Sequence, residues 1–169
     1  IDRAFGPDGA METFLWAKKE GLVGALGFSA HNEDIALQLF ELFDFDTVLF
    51  PMNWALGMAR GWGDRISERA KKAGAGLIAM KTLVHRRWLD GEERVYPKSW
   101  CKPLYGCEPL MVAAMKYGLE KGAATLVPPG NFEHFSFMLD HIDECAENPL
   151  TGAERELLRR EAEQVSDKL

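Results

Sequence analysis

The sequence predicts an α/β protein built on a parallel sheet. Four short apolar runs are bounded by glycine, proline or polar residues, a pattern typical of strands buried on both faces. Helical patterns separate these runs, and this alternation indicates consecutive strand–helix units whose strands are parallel. The predicted strands are Leu22–Phe28, Thr47–Phe50, Gly76–Met80 and Ala123–Val127.

The predicted helices have recognisable start and stop residues. Asp8 is the expected N-cap of a helix that precedes the first strand. Gly74 and Gly122 are expected to end the helices that lead into the third and fourth strands, because glycine tolerates a positive φ. Thr151 and Glu154 have the spacing of a capping box, which predicts a final amphipathic helix.

The composition favours a single domain spanning residues 1–169, with 47% hydrophobic and 27% charged residues. A net charge of −6 and the lack of a basic face argue against nucleic acid as a partner. No apolar run is long enough to span a membrane. The three cysteines are an odd set in an otherwise ordinary core, so we expect free thiols and a cytoplasmic location.

Four strand–helix units leave one face of the sheet without a partner. Helices cover one side, and further strands, a second copy or another chain must cover the apolar residues on the other. Half of a (β/α)8 barrel of the TIM type, supplying four units plus a C-terminal helix, explains this economically. An open doubly wound sheet is the alternative, but no glycine-rich phosphate-binding motif follows any predicted strand.

Polar residues follow the predicted strands, at the end of a parallel barrel where ligands bind. Lys81 ends a buried strand, and its charge requires a carboxylate, a phosphate or water as a partner. Gly130 and Asn131 precede a helix, where free backbone N–H groups favour an anion. Ser29 and Asn32 follow the first strand, although helix capping alone also explains this pair. Together these residues indicate a ligand with anionic and amide groups, such as a nucleotide.

Five motifs cover most of the chain. They are AKKEGLVGALGFSAHN (Ala17–Asn32), FDTVLFPMNW (Phe45–Trp54), AGAGLIAMKTL (Ala73–Leu83), AAMKYGLEKGAATLVPPGN (Ala113–Asn131) and NPLTGAERELL (Asn148–Leu158). The set, in this order, resembles the C-terminal half of the aldo/keto reductase family. The resemblance implies a (β/α)8 barrel, of which this chain holds about the last four units, and an NAD(P)H-dependent oxidoreductase that reduces a small aldehyde or ketone.

The resemblance also implies which residues contact the cofactor. Ser29 matches a serine that meets the nicotinamide carboxamide, and Met80 stands where an aromatic residue commonly stacks on the nicotinamide ring. Leu49 replaces a glutamine, so that hydrogen bond is lost. The implied cofactor contacts are Ser29, Ala30, His31, Met80, Lys81, Leu83, Pro129, Gly130, Asn131, Asp140 and His141.

Within that set, Lys81 and Leu83 match the turn under the pyrophosphate, and the last two residues match a pair near the adenine. No Lys or Arg lies between Leu126 and Cys145, where NADP-dependent members hold the 2′-phosphate, so NAD stays open beside NADP. We expect substrate specificity to come from the long polar loop Val84–Leu104 and from Trp54.

The family's catalytic Asp, Tyr, Lys and His all lie on the half of the barrel that precedes this sequence. The chain begins at Ile1 rather than Met, so we predict a fragment that has no catalytic residue and is inactive alone. Its tyrosines do not end predicted strands and are poor substitutes for the missing acid. His134, His141 and Cys145 share a helix face and are metal-ligand types, but ordinary packing is the favoured interpretation, and we predict no metal site.

Three hypotheses for function remain. The favoured one is a reductase whose N-terminal half-barrel is missing from this sequence. The second is a non-catalytic, reductase-like subunit that binds a nucleotide or a partner, which the losses at Leu49 and Met80 favour. The third is an autonomous half-barrel that forms a homodimer to bury its open sheet face.

Overall fold

The computed structural model describes the backbone of residues 1–169 and every side chain except that of Ser166. The elements are α1 (Asp2–Phe5), α2 (Ala10–Lys19), β1 (Gly27–Ser29), α3 (Glu33–Leu42), β2 (Thr47–Pro51), α4 (Trp54–Arg60), α5 (Asp64–Ala73), β3 (Gly76–Met80), β4 (Val84–Arg86), β5 (Lys102–Pro103), α6 (Glu108–Glu120), β6 (Ala123–Leu126), α7 (Phe132–Glu147) and α8 (Gly152–Val165), followed by a short 3-10 helix (Ser166–Lys168). None of the helices in this described part of the chain combines the length and apolarity needed to cross a membrane.

The main sheet has four strands in the order β1-β2-β3-β6, and every neighbouring pair is parallel. This confirms the predicted parallel α/β architecture. Within the described residues the sheet does not close into a barrel, so β1 and β6 are both edge strands. The long loop Val84–Leu104 is not irregular throughout, because β4 and β5 form an antiparallel ribbon within it.

Three of the four predicted strands lie within one residue of their expected bounds, but β1 is shorter than the predicted run Leu22–Phe28. Leu22 and Val23 are 65% and 39% exposed and lie in a loop before the strand. The physical reason is the position of β1 at the edge of the sheet. It has only β2 as a neighbour, and its pairing begins at Gly27, so the residues before it have no ladder to join.

The helix ends largely follow the sequence signals. Gly74 and Gly122 adopt the predicted positive φ, at 68° and 83°. The Thr151 N–H donates to Glu154 Oε2 over 2.7 Å, and the Glu154 N–H donates to Thr151 Oγ1 over 3.2 Å, which confirms the capping box. Asp8 is not the N-cap of α2. It takes a positive φ of 57°, and the following glycine is the cap residue instead.

The two faces of the sheet differ in burial. Val48, Phe50 and Ala79 are fully buried against residues of α3 and α5. Leu49 and Ile78 point to the opposite face, because side chains alternate along a strand, and both are only partly buried. This open face is the uncovered apolar surface that the sequence predicts.

A second core lies between α4, α6, α7 and α8, and Leu126 of β6 packs against it. The sequence does not predict α4, which is short and contains Gly57. That glycine is required by packing, because a Cβ there would lie 1.8 Å from the Tyr117 hydroxyl of α6. Trp54 at the start of α4 is 0% exposed in this core. The bundle therefore holds the segment after β2 in a fixed position beside the strand ends.

Candidate functional site

A cavity of about 370 Å³, which we call the cleft, opens at the C-terminal ends of β3 and β6. Its walls are the turn after β3, the loop after β6 and residues 98–101 of the long loop. Because the carboxyl ends of parallel strands meet at one edge of the sheet, this is where the fold presents its ligand-binding loops. The implied cofactor contacts that line the cleft are Met80, Lys81, Leu83, Pro129 and Gly130.

A second cavity of about 220 Å³ lies beside the cleft, at the C-terminal ends of β1, β2 and β3. It shares Lys81, Val84 and Cys101 with the cleft, so the two cavities meet at the turn after β3. Arg60, Lys81 and Arg87 contribute positive charge to its lining, and we call it the basic cavity. The strand ends thus present two adjoining pockets rather than one.

Lys81 stands at the junction of the two cavities in a backbone conformation that is unusual for a lysine. Its φ is 63°, in the left-handed region, which costs an L-residue on the order of 1 kcal/mol. Its carbonyl accepts hydrogen bonds from the Val84 N–H at 3.1 Å and from Asn53 Nδ2 at 3.3 Å. These contacts hold the turn tightly, and among the described side chains no carboxylate pairs with the Lys81 ammonium group.

Asn53 connects the end of β2 to that turn. Its side-chain oxygen accepts from the backbone N–H groups of Ala55 and Leu56, at 3.0 and 3.1 Å, and so caps α4. Its amide nitrogen donates to the carbonyls of Lys81 and Val84, the latter at 2.8 Å. Asn53 is 2% exposed, and its side chain fixes the turn through these four hydrogen bonds. A sequence signal for this role exists, because an asparagine that follows a strand is a helix-cap residue type.

The long loop Val84–Leu104, which we call the strap, closes one side of the cleft. Glu92 is its central acceptor: Arg86 donates to it through two hydrogen bonds of 2.7 and 2.8 Å, and Lys102 also donates to it. These bonds, together with one from the Leu89 N–H, hold the pKa of the Glu92 carboxyl far below its usual range. The ribbon of β4 and β5 is therefore tied by charge as well as by its backbone.

The strap contacts the loop after β6. A Cβ on Gly130 would lie 3.0 Å from the Lys98 carbonyl oxygen, so a glycine allows this close approach. Asn131 Nδ2 donates to Ser99 Oγ over 3.2 Å, and the Ser99 carbonyl accepts from Trp88 Nε1 over 2.9 Å. The two walls of the cleft are thus joined by direct contacts.

Asn131 also caps α7, because its side-chain oxygen accepts from the His134 N–H at 3.0 Å. His134 is 2% exposed, with one ring nitrogen 2.6 Å from that same oxygen and the other 2.6 Å from the Leu104 carbonyl. His141 bonds the Phe137 carbonyl on the same helix. In the described residues no group of three or more potential ligands is placed to hold a metal ion.

The remaining predicted cofactor contacts do not line the cleft. His31 lines the basic cavity. Ser29 is exposed at the end of β1, and Ala30 is 8% exposed with its N–H bonded to the Leu49 carbonyl. Asp140 is exposed on α7, and the residue after it, His141, stacks on Phe137 with ring centroids 4.1 Å apart. None of Ser29, Ala30, Asp140 and His141 is among the described lining residues of the cleft or the basic cavity.

The structure places Trp54, the expected substrate contact, in the core instead. Its indole is 0% exposed, belongs to the core of the helical bundle and stacks on His85 of β4 with ring centroids 6.5 Å apart. A side chain without exposed surface has nothing to offer a substrate. The strap supplies an exposed tryptophan in its place, Trp100, which lines the cleft and is 95% exposed.

Several cavity residues were not predicted from the sequence. They come from segments outside the strand ends, namely α4, the strap and the loop before α5. Arg60 and Trp62 lie outside every predicted site segment. The others belong to the loop Val84–Leu104, which the sequence predicts to contact substrate only as a whole; they are Arg87, Lys98, Ser99, Trp100 and Cys101. Nothing in the local sequence pattern brings these residues to the strand ends, because their approach depends on tertiary contacts.

No family model matches this sequence, and no curated protein matches it either. Among solved structures, the chain is similar to the aldo-keto reductase AKR11C1 from Bacillus halodurans, in its holo form (13% identity, TM-score 0.53) and its apo form (15% identity, TM-score 0.51). Each match covers 91% of this chain but only 55% and 56% of the reductase. The chain thus shares a fold with an aldo-keto reductase and spans little more than half of that protein's length.

Proposed function

We propose that this chain is the cofactor-binding part of an aldo/keto reductase, an oxidoreductase that reduces a small aldehyde or ketone with NAD(P)H. The observation that carries the proposal is the cleft, where Met80, Lys81 and Gly130 converge at the strand ends. The shared fold with a reductase solved in a holo form supports it. The sequence motifs, which follow the family's order from the fifth strand onward, add independent support.

Met80, Lys81 and the N-terminus of α7 would each contact such a cofactor through a different interaction. The Met80 thioether is polarizable and packs well against a flat ring. The Lys81 ammonium group, held at a fixed turn, attracts phosphate oxygens. The N-terminus of α7 directs backbone N–H groups and a partial positive charge toward the loop that contains Gly130. When bound, NAD(P)H supplies the hydride, and the strap limits the access of water to the cleft.

The proton for carbonyl reduction needs a donor from outside these residues. Burial raises the pKa of Tyr96, and its hydroxyl already donates to Glu133 over 2.9 Å. Burial also raises the pKa of Tyr117, whose hydroxyl lies inside the helical bundle. A general acid needs a pKa near the working pH and contact with the substrate. We therefore propose that the acid comes from a further half-barrel, upstream of Ile1.

The exposed apolar surface supports such a partner. On α7, Phe132, Phe135 and Leu139 are 79%, 44% and 58% exposed, next to the edge strand β6. Near the other edge, Leu22 and Trp16 are 65% and 55% exposed. Contiguous apolar patches on soluble proteins commonly mark interaction sites. We propose that the N-terminal half-barrel covers both edges and the open face, and a second copy of the chain is the alternative.

We propose NAD(P)H as the cofactor, and a lysine of the strap bears on which of the two forms the adenosine end would accept. Although Leu126–Cys145 contains no Lys or Arg, Lys98 of the strap lines the cleft beside Gly130. An ammonium group there offers a partner to a 2′-phosphate. Lys98 therefore supports keeping NADP as a candidate beside NAD.

The first test is nucleotide binding by the chain itself. We expect Lys81→Ala to weaken NADH or NADPH binding about tenfold, because a charged hydrogen bond to phosphate is lost. Titration calorimetry measures the affinity. Lys72→Ala, on the exposed side of α5, is the matched control and should leave the affinity unchanged. Equal affinities for the two variants and the wild type would remove Lys81 from the site, and no binding by any of them would refute the cofactor proposal.

A further inference from the structure

The basic cavity is lined by three cationic side chains, and among its described lining residues a carboxylate could come only from the chain end at Leu169. Arg60 comes from the end of α4, Lys81 from the turn after β3 and Arg87 from the strap. No aspartate or glutamate is among the described residues that line it. The Arg60 guanidinium lies 5.7 Å from the centre of the Trp62 ring, and among the described side chains none of the three cations pairs with a carboxylate.

Half of the 20 Lys and Arg side chains have no carboxylate partner among the described residues, and these three are distinguished by lining one cavity together. The chain has 26 acidic and 20 basic side chains, so acids are available for pairing. Elsewhere the structure pairs ten Lys and Arg side chains with carboxylates. Cations that converge on one concave surface repel each other and raise the local positive potential. A bound anion relieves that repulsion.

We propose that the basic cavity binds an anionic group, a carboxylate or a phosphate, on the substrate. The proposal rests on the proposed reductase function, because the cavity adjoins the cleft through Lys81, and a substrate held there would direct its carbonyl toward the cofactor. Guanidinium groups such as Arg60 and Arg87 match the geometry of an oxyanion through paired N–H donors. The substrate class is therefore a small carbonyl compound that carries an acid group.

The diphosphate of the cofactor has the same anionic chemistry. The position of the arginines favours the substrate, because Arg60 and Arg87 line the basic cavity and are not among the described lining residues of the cleft. The basic cavity also lies toward β1 and β2, whereas the cleft extends toward β6 and α7. Lys81 is the one cation among the described lining residues that belongs to both cavities, so it can contact either anion.

The test uses oxalate and inorganic phosphate as probes, titrated into the chain without nucleotide and followed by NMR of backbone amides. We expect saturable shifts at residues that line the basic cavity. Arg60→Gln and Arg87→Gln should each weaken probe binding about tenfold, since a charged hydrogen bond is lost, while NADH affinity stays unchanged. Both side chains are exposed, so neither substitution should affect folding, and Lys72→Gln is the control of equal charge change.

The outcomes separate the two anion sources. Probe binding that neither arginine variant weakens, or no saturable binding of either probe, would overturn the proposal. If both variants weaken NADH binding by the same factor and phosphate competes with NADH, the anion is the cofactor's diphosphate and the substrate assignment is wrong. If the probes bind and respond to both variants but no nucleotide binds, the anion site stands and the proposed cofactor function fails.

Discussion

The helical bundle and the strap each contain a carboxylate that links their parts, but the surroundings of the two carboxylates differ. In the bundle, Lys116 and Glu154 join α6 to α8 at 2.7 Å, with side chains 7% and 23% exposed, beside the apolar core. In the strap, Glu92 accepts hydrogen bonds from Arg86, Leu89 and Lys102, and few residues of this segment belong to a core.

The difference separates the parts of the molecule that give stability from those that form the site. Apolar packing defines the bundle, and ion pairs between α6 and α8, Lys116 with Glu154 and Arg155 with Glu120, add orientation to it. The strap buries little apolar area, so its order depends on charge and on contacts with the loop after β6. Substitutions in the bundle should therefore unfold the whole chain, whereas those in the strap should change the cleft locally.

The largest expected effect is in the bundle. Trp54→Ala removes a 0% exposed indole, and we expect the free energy of unfolding to fall by about 3–5 kcal/mol. Urea unfolding followed by circular dichroism measures it. Trp100→Ala, at a 95% exposed strap position, is the control and should leave stability nearly unchanged. A Trp54 variant as stable as the wild type would mean that this indole is not part of the core.

A smaller effect is expected from the ion pair. Lys116→Met leaves Glu154 partly buried without its partner, and we expect a loss of about 2 kcal/mol at neutral pH, below the cost for a fully buried pair. Burial raises the pKa of Glu154, but hydrogen bonds from Lys116 and Thr151 outweigh it and leave that pKa below its ordinary value of 4.5.

The direction of the pH dependence follows from that lowered pKa. A carboxyl whose pKa is lower in the folded state stabilises the protein above pH 4.5 and loses its contribution as the pH falls through the folded value. The difference in the free energy of unfolding between the wild type and Lys116→Met should therefore shrink below that pH. A difference that stays constant from pH 7 to pH 3 would show that Lys116 acts through packing of its aliphatic stem rather than through Glu154.

The fold of the sheet follows from local sequence, whereas the position of the strap does not. Strands β2, β3 and β6 are apolar runs bounded by glycine, proline or polar residues, and each lies within one residue of its prediction. The start of β1 depends on which neighbour it pairs with. The helix α4 depends on Gly57 fitting under Tyr117. Both are tertiary effects, and no periodicity in the sequence signals them.

The residues of the candidate site also fall into two groups, those at strand ends and those placed by tertiary contacts. Lys81, Pro129 and Gly130 are predicted because strand ends can be found from the sequence and always meet at one edge of a parallel sheet. Arg87 and Lys98 reach the site only because the strap folds back over it. The burial of Trp54 is not predicted for the opposite reason: its place after a strand suggests exposure, whereas packing in the core of the helical bundle buries it.

The smallest effect on global stability, and the most local one, is expected in the strap. Glu92→Gln removes the charge that holds Arg86 and Lys102, so we expect faster hydrogen exchange across residues 86–102 with little change in urea unfolding. Exchange measured by mass spectrometry reports this directly. Glu93→Gln, an exposed neighbour, is the matched control.

The pH dependence of strap exchange provides an independent check of this cluster. The Arg86 hydrogen bonds, followed by those from Leu89 and Lys102, lower the pKa of Glu92 far below 4.5, so its contribution is complete above that pH and declines only as the pH falls toward the folded value. After correction for intrinsic exchange rates, wild-type protection should persist to pH 4, while the Glu92 variant lacks it throughout. Equal protection in both Gln variants would mean that the β4–β5 ribbon and the contact with Gly130 order the strap without Glu92, and the distinction between a packed bundle and a charge-tied strap would no longer hold.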